Sequence, residues 1–230
     1  MQPPPLPLPS SLEEARAWQQ ALAQRVVLQG DLSRVRYLAA LDASHPPRFS
    51  RPRGPSVAVA VLWDRTREEV LEVATAELEE ALLFPYVPGF LSFREAPLYL
   101  AALARLSRPP EALLVDGQGI AHPRGLGIAA HLGVHLELPS LGVAKTRLFG
   151  QPEAELPQMA GAAVRLMAKE QVGWVYRSRS GVKPLFISPG HRVGLQACLD
   201  FVRSLPCKTR LPEPLRRAHL EAGAARRAAM

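Results

Sequence analysis

The sequence predicts an α/β protein built on a mixed β-sheet flanked by helices. Three observations point there. Strand-like apolar runs over residues 36–43, 56–64 and 69–75 follow one another directly. From residue 93 onward, helical and strand-like runs alternate instead. Two of the later apolar runs end in a charged residue: Leu113-Leu114-Val115 runs into Asp116, and Leu141-Gly142-Val143-Ala144 into Lys145. Charged groups beside flexible turns at strand ends are where ligands sit in open α/β sheets.

Taken in order, residues 1–10 form a proline-rich lead-in expected to be extended or disordered. Ser10 or Ser11 can cap a helix to about residue 28, with Glu13 and Glu14 in its first turn and Leu12, Ala15, Trp18, Leu22 and Val26 at helical spacing. In the second strand Val57, Val59, Val61 and Trp63 alternate with small apolar residues, which suits burial on both faces. The turn over residues 64–68 joins it to the third strand as a meander. A helix is expected over 93–106, then a strand at 112–115, a helix at 125–134 and a strand at 141–144. A linking loop leads to strands at 173–176 and 184–187 and a helix at 193–205. Residues 11–208 read as one catalytic domain. The tail, 209–230, carries Arg216, Arg217, Arg226 and Arg227 among alanines and reads as a loosely attached helix.

Composition narrows the partners. The 230-residue chain is 47% hydrophobic, enough to bury a core, and its net charge of +7 makes a polyanion plausible. Nearly all the positive charge is arginine; the lysines are Lys145, Lys169, Lys183 and Lys208. Arg48, Arg51 and Arg53 mark a basic loop that could lie on phosphates. Twenty-three prolines and no asparagine fit a heat-adapted protein. Cys198 and Cys207 lack metal-ligand spacing and are expected to be reduced. No apolar run approaches the roughly 20 residues of a membrane span, and the start lacks the pattern of a signal peptide. A cytoplasmic, monomeric protein with no membrane contact is expected.

Asp42 also ends an apolar strand, Tyr37 to Leu41. A carboxylate at the end of a buried strand is costly without a partner, and two on adjacent strands repel. A divalent cation would relieve both, and Mg²⁺ prefers a few carboxylates with waters and a phosphate oxygen. Lys145 could neutralise charge on a transferring phosphoryl group.

Four blocks carry a resemblance: Leu41-Asp42-Ala43-Ser44, PYVPGFLSFRE from Pro85 to Glu95, VDGQGIAHPRGLGIAAHLG from Val115 with PSLGVAKTRL after it, and SPGHRVGL from Ser188 to Leu195. In this order they closely resemble the endonuclease V family, the deoxyinosine-specific repair nucleases, over about residues 12–203. The first block departs from the family, which more often continues into a Tyr-containing strand; here it runs on as His45-Pro46-Pro47.

The resemblance implies a ribonuclease-H-like fold, consistent with the element order. It implies hydrolysis of the second phosphodiester bond 3′ to deoxyinosine, leaving a 3′-hydroxyl and a 5′-phosphate. Mg²⁺ is the implied cofactor, with Mn²⁺ as substitute. Asp42, Asp116 and Glu95 would hold the metal, Glu95 through water or by orienting the attacking water; Lys145 and His191 would complete the catalytic set, His191 by holding that water or taking up a proton. Tyr86, made rigid by Pro85 and Pro88, would act as a strand-separating wedge. His122 would contact a phosphate or brace its loop, and Arg94 would pair with Glu95 or touch phosphate. Gly89, Leu91, Gly117, Ile128, Gly142 and Leu148 would wall the lesion pocket. His45, His131, His135 and His219 carry no readable signal. Inosine-containing RNA is an alternative substrate. A non-catalytic inosine or branched-DNA binder would require loss of a metal carboxylate, and Asp42, Glu95 and Asp116 are all present.

Overall fold

The computed structural model describes residues 3–46, 54–79 and 84–229. The expected basic loop with Arg48, Arg51 and Arg53 lies outside them. Three antiparallel strands come first: β1 (Tyr37–Ser44), β2 (Ser56–Asp64) and β3 (Glu69–Leu78). β4 (Ala112–Val115) and β5 (Ser140–Ala144) then add parallel to β1. β6 (Gln151–Pro152), β7 (Ala163–Met167), β8 (Gln171–Tyr176) and β9 (Leu185–His191) complete one sheet in the order β3-β2-β1-β4-β5-β9-β8-β7-β6. β9 runs antiparallel to β5, so the parallel part is only three strands wide. The expected linking loop after β5 holds β6 and β7 instead.

Helices cover both faces: α1 (Leu12–Ala23), α2 (Leu91–Ala104), α3 (Ile128–Leu136), α4 (Leu195–Ser204) and α5 (Glu213–Ala228). Ser11 caps α1, its hydroxyl accepting from the Glu14 amide at 3.1 Å, while Glu14 accepts from the Ser10 amide and hydroxyl at 2.7 Å. Strand parity sorts the core. Val59, Val61 and Trp63 of β2 pack with α4 and α5; Ala58, Ala60 and Leu62 pack with α2 and α3. Every residue of β2 is buried, as its small-and-branched alternation predicts.

The C-terminal segment corrects an expectation. It is not a loose appendage: Leu215, Ala218 and Ala222 of α5 are buried in the same core layer as Val59 and Leu114. Small alanines let the helix lie close on β1 and β2. Of the arginines that made the segment look like a tail, Arg216 pairs with Glu213 at 2.6 Å and Arg217 with Glu221 at 3.0 Å, Arg227 is exposed and Arg226 is buried. No described helix is long and apolar enough to cross a membrane.

Candidate active site

The site follows from strand parity. Leu38 and Ala40 of β1, Ala112 and Leu114 of β4, and Leu141 and Val143 of β5 all enter the layer beneath α5. Two residues farther along each strand come Asp42, Asp116 and Lys145. Leu41 pairs with Val115 in register, and the Asp116 amide donates to the Leu41 carbonyl at 2.9 Å. The two acids therefore stand side by side at the mouths of adjacent parallel strands. α5 covers this layer and delivers His219, whose Nδ1 lies 2.7 Å from Asp42 Oδ2 and 3.2 Å from Lys145 Nζ. Lys145 is also ion-paired with Asp116. Nδ1 can donate to Asp42 or accept from Lys145, but not both at once.

Burial, reinforced by the neighbouring Asp116 charge, pushes the Asp42 carboxyl up to about 6, against the pull of Lys145 and His219. The mutual repulsion expected of paired acids thus adds to the larger effect of burial. Asp42, Asp116 and His219 each offer one ligand atom, all within 4.8 Å of one another. Two carboxylates and an imidazole are a donor set for a divalent cation such as Mg²⁺ or Mn²⁺.

Glu95 reaches the same strand ends from the opposite layer, on α2, but stands outside that ligand group. Its Oε1 lies 2.9 Å from His45 Nε2, and it is hydrogen-bonded by the buried Tyr99 phenol. Burial first, then the charges of Glu95, Asp42 and Asp116, raise Tyr99 well above the ordinary phenol range, which marks how close the three acids lie to one another. Glu95 is held by these two partners, and the third residue grouped with Asp42 and Asp116 is His219. Arg94 is buried and donates to the Phe84 carbonyl at 3.0 Å.

His191 is not brought to this site. β9 runs antiparallel to β5, and His191 pairs with Ser140, at the start of the strand that ends beside Lys145. Five residues of strand put roughly 16 Å between those ends. The His191 ring is buried, with Nδ1 accepting from the Val27 amide at 3.2 Å, so it braces the chain after α1. Its block matters through Ser188, whose hydroxyl accepts from the Gly119 amide at 2.7 Å and holds the turn after β4.

Beside the acids lies a cavity of about 510 Å³. Its wall includes Gly89, Leu91, Gly117, Ile128 and Leu148, with Tyr86 and Pro88 at one side and Asp116 and Lys145 at the other. Pro85 is not in the wall. Gly142 lies behind it: a Cβ there would come 2.4 Å from the Gly117 carbonyl oxygen, so its role is to let the turn sit down on β5. Tyr86 is 60% exposed, an unusual place for a large ring with no packing duty.

His122 braces the loop that carries Tyr86. The Gly89 carbonyl accepts from His122 Nε2 at 3.1 Å, Arg124 Nη2 at 2.6 Å and Gln19 Nε2 at 3.0 Å. Gly89 has φ +80°, a left-handed conformation that suits glycine. His122 Nδ1 accepts from the Arg124 amide at 3.2 Å, which leaves its proton on Nε2. Burial, then the Arg124 charge, pushes His122 down to about 4; burial pushes His131, packed edge-on against Phe93, down to about 3. Both are neutral when folded and take a proton near 6.5 when unfolded. Their stabilising share is complete above 6.5 and drains away as pH falls toward 4 and 3. Denaturant midpoints measured across this window should therefore fall steeply below pH 6.5, and less steeply in His122→Gln.

Comparison with known proteins decides the family. The family model for endonuclease V matches residues 20–220. The chain belongs to the endonuclease V family. The endonuclease V of Thermus thermophilus is 65% identical over 230 residues, covering 99% of each chain. The crystal structure of Streptomyces avermitilis endonuclease V superimposes with a TM-score of 0.86 at 40% identity, covering 98% of this chain and 97% of that one. Ciona intestinalis endonuclease V, solved with a 23mer DNA containing an inosine followed by a ribo-adenosine, shares the fold with a TM-score of 0.81 at 24% identity, covering 95% and 98%. Membership makes the protein a phosphodiester hydrolase with a ribonuclease-H-like fold.

Proposed function

We propose that this endonuclease V recognises deoxyinosine in DNA and hydrolyses the second phosphodiester bond on its 3′ side, leaving a 3′-hydroxyl and a 5′-phosphate. It does so as a cytoplasmic monomer. The observation that carries the reading is the shared wall between the acid cluster and the cavity: Asp116 and Lys145 belong to both. A flat base received by the cavity would leave its own strand running past the acids.

Asp42, Asp116 and His219 would hold Mg²⁺, with Mn²⁺ as substitute, and the bound cation would supply Lewis-acid activation of the phosphoryl group. Glu95, fixed between His45 and Tyr99, orients the attacking water. Lys145, paired with Asp116 at the cavity wall, would neutralise charge growing on the phosphoryl oxygens. Gly89, Leu91, Gly117 and Ile128 offer backbone amides and carbonyls to the edge of hypoxanthine. Tyr86 fills the gap the extruded base leaves, supported by Pro85 and Pro88.

Incubation of the protein with end-labelled duplexes carrying one deoxyinosine, with and without Mg²⁺, tests the reading. A single Mg²⁺-dependent nick at the second bond 3′ to the lesion is expected; uncut inosine duplex rejects it. The same assay on inosine RNA decides between the polymers.

Tyr86→Ala should lose more activity on duplex than on single-stranded inosine DNA, because only the duplex must be opened. Stacking on a base is worth about 1–3 kcal/mol, so single-turnover rates on duplex should drop roughly tenfold or more. Equal losses on both substrates would make Tyr86 a packing residue. Binding should also weaken steeply with salt, with a slope of about −0.9 per phosphate neutralised, as the net charge of +7 implies. A flat salt dependence of the dissociation constant would contradict that.

A further inference from the structure

We infer that His45 is a positioning residue for Glu95, and that a Ser56–His45–Glu95 chain sets the angle of the third acid. The inference rests on the functional reading above. His45 follows the end of β1, three residues beyond Asp42, so the strand that carries one acid also carries the group that orients another. His45 Nε2 lies 2.9 Å from Glu95 Oε1, and Nδ1 lies 2.8 Å from Ser56 Oγ. Ser56 is fully buried at the first position of β2, next to β1 in the sheet, so it is a rigid anchor for the ring. With Glu95 ionised, the ring donates from Nε2 to the carboxylate, and Nδ1 accepts from the Ser56 hydroxyl.

Glu95 needs such help. A glutamate has three rotatable side-chain bonds, and at the site the two nearby acids repel it. Tyr99 holds it from inside the protein. His45, about a quarter exposed, holds it from the solvent side. Donors on two sides fix both the position and the plane of the carboxylate. An orienting group displaced by about 1 Å can cost as much as 10²-fold in rate. His45 belongs neither to the cavity wall nor to the Asp42–Asp116–His219 group, so its effect should fall on the chemical step.

Three replacements separate the hydrogen bond from the ring's bulk. His45→Phe keeps a ring without a donor. His45→Asn is too short to reach Glu95. His45→Gln offers an amide N–H near the position of Nε2. Single-turnover nicking of inosine duplex should fall about tenfold in H45F and H45N and recover to within about threefold of the unaltered protein in H45Q. KM for the duplex and Mn²⁺ affinity, read by electron paramagnetic resonance of the DNA-free protein, should stay within about twofold. Ser56→Ala, which frees the ring but keeps its donor, should lose about threefold and serves should the His45 variants melt early. Wild-type rates in H45F and H45N, or in Ser56→Ala where only that variant folds, overturn the inference. So does a loss in H45Q equal to that in H45F, or a drop in Mn²⁺ affinity. If the unaltered protein leaves inosine DNA intact, the functional reading fails instead, and His45 loses the reaction it serves.

Discussion

Asp116→Ala should bind inosine DNA and fail to cut it, with the single-turnover rate lower by 10³-fold or more, about 4 kcal/mol of transition-state stabilisation. Asp42→Ala should behave alike. The two acids stand side by side on adjacent strands, and most of the cavity wall comes from other residues, Gly89, Leu91, Gly117 and Ile128 among them, so recognition should survive their loss. The metal-free variants should also be more stable than the parent. Asp42 is raised from 3.8 to about 6 in the folded state. A raised acid favours the folded state below its unfolded pKa, and that advantage is lost as pH rises through 6. Ionised Asp42 therefore costs folded-state stability at pH 7. Asp42→Asn should recover part of it, and Asp116→Asn should lower the Asp42 pKa toward its ordinary value. Thermal melts in chelator, with carboxyl NMR titration, check both. Cleavage near the parental rate by either alanine variant would remove these acids from the chemistry.

Lys145→Ala should reduce the rate by about 10²- to 10³-fold, the range found for loss of one charge-stabilising donor. Its ammonium is paired with Asp116 and lies 3.2 Å from His219, at the shared wall of cavity and acids. Lysine removal also deletes the positive charge that holds Asp42 down, so Asp42 should titrate higher in this variant. His219→Ala completes the set: Mn²⁺ binding and nicking should weaken together, and added Mn²⁺ should recover part of the rate. Comparing these two variants over a metal titration separates a ligand from a charge. Extra metal helps His219→Ala and leaves Lys145→Ala unchanged.

Most of the fold was legible because strand parity and helical spacing write themselves into sequence. β2 and β4 fall where their apolar runs place them, and Asp116 and Lys145 directly follow β4 and β5 as expected, whereas Asp42 lies within β1, which runs on to Ser44. Short edge strands were not legible: β6 is two exposed residues, and β7 has one buried residue in five, so neither leaves a buried run to read. His191 was misread because a motif gives order along the chain but not direction in the sheet; antiparallel β9 carries it away from the lysine. His219 was missed because it stands among arginines and alanines that look like a tail. A usable signal was there in Leu215, Ala218 and Ala222, one apolar stripe at spacings of three and four that demands burial and so brings His219 to the sheet. His45 could not be found from sequence, since its meaning lies in a contact with a residue 50 positions away.

The proposed site reads the base with its cavity and cuts with the adjoining acids. Its most direct test uses two end-labelled duplexes identical except for deoxyinosine or adenine at one position, with the parent protein and Asp116→Ala, in Mg²⁺ and in chelator. A single nick at the second bond 3′ to deoxyinosine is expected from the parent in Mg²⁺ only, and inosine-selective binding without cleavage from Asp116→Ala. Equal cutting of the adenine duplex, or cutting of the inosine duplex by Asp116→Ala, would contradict it.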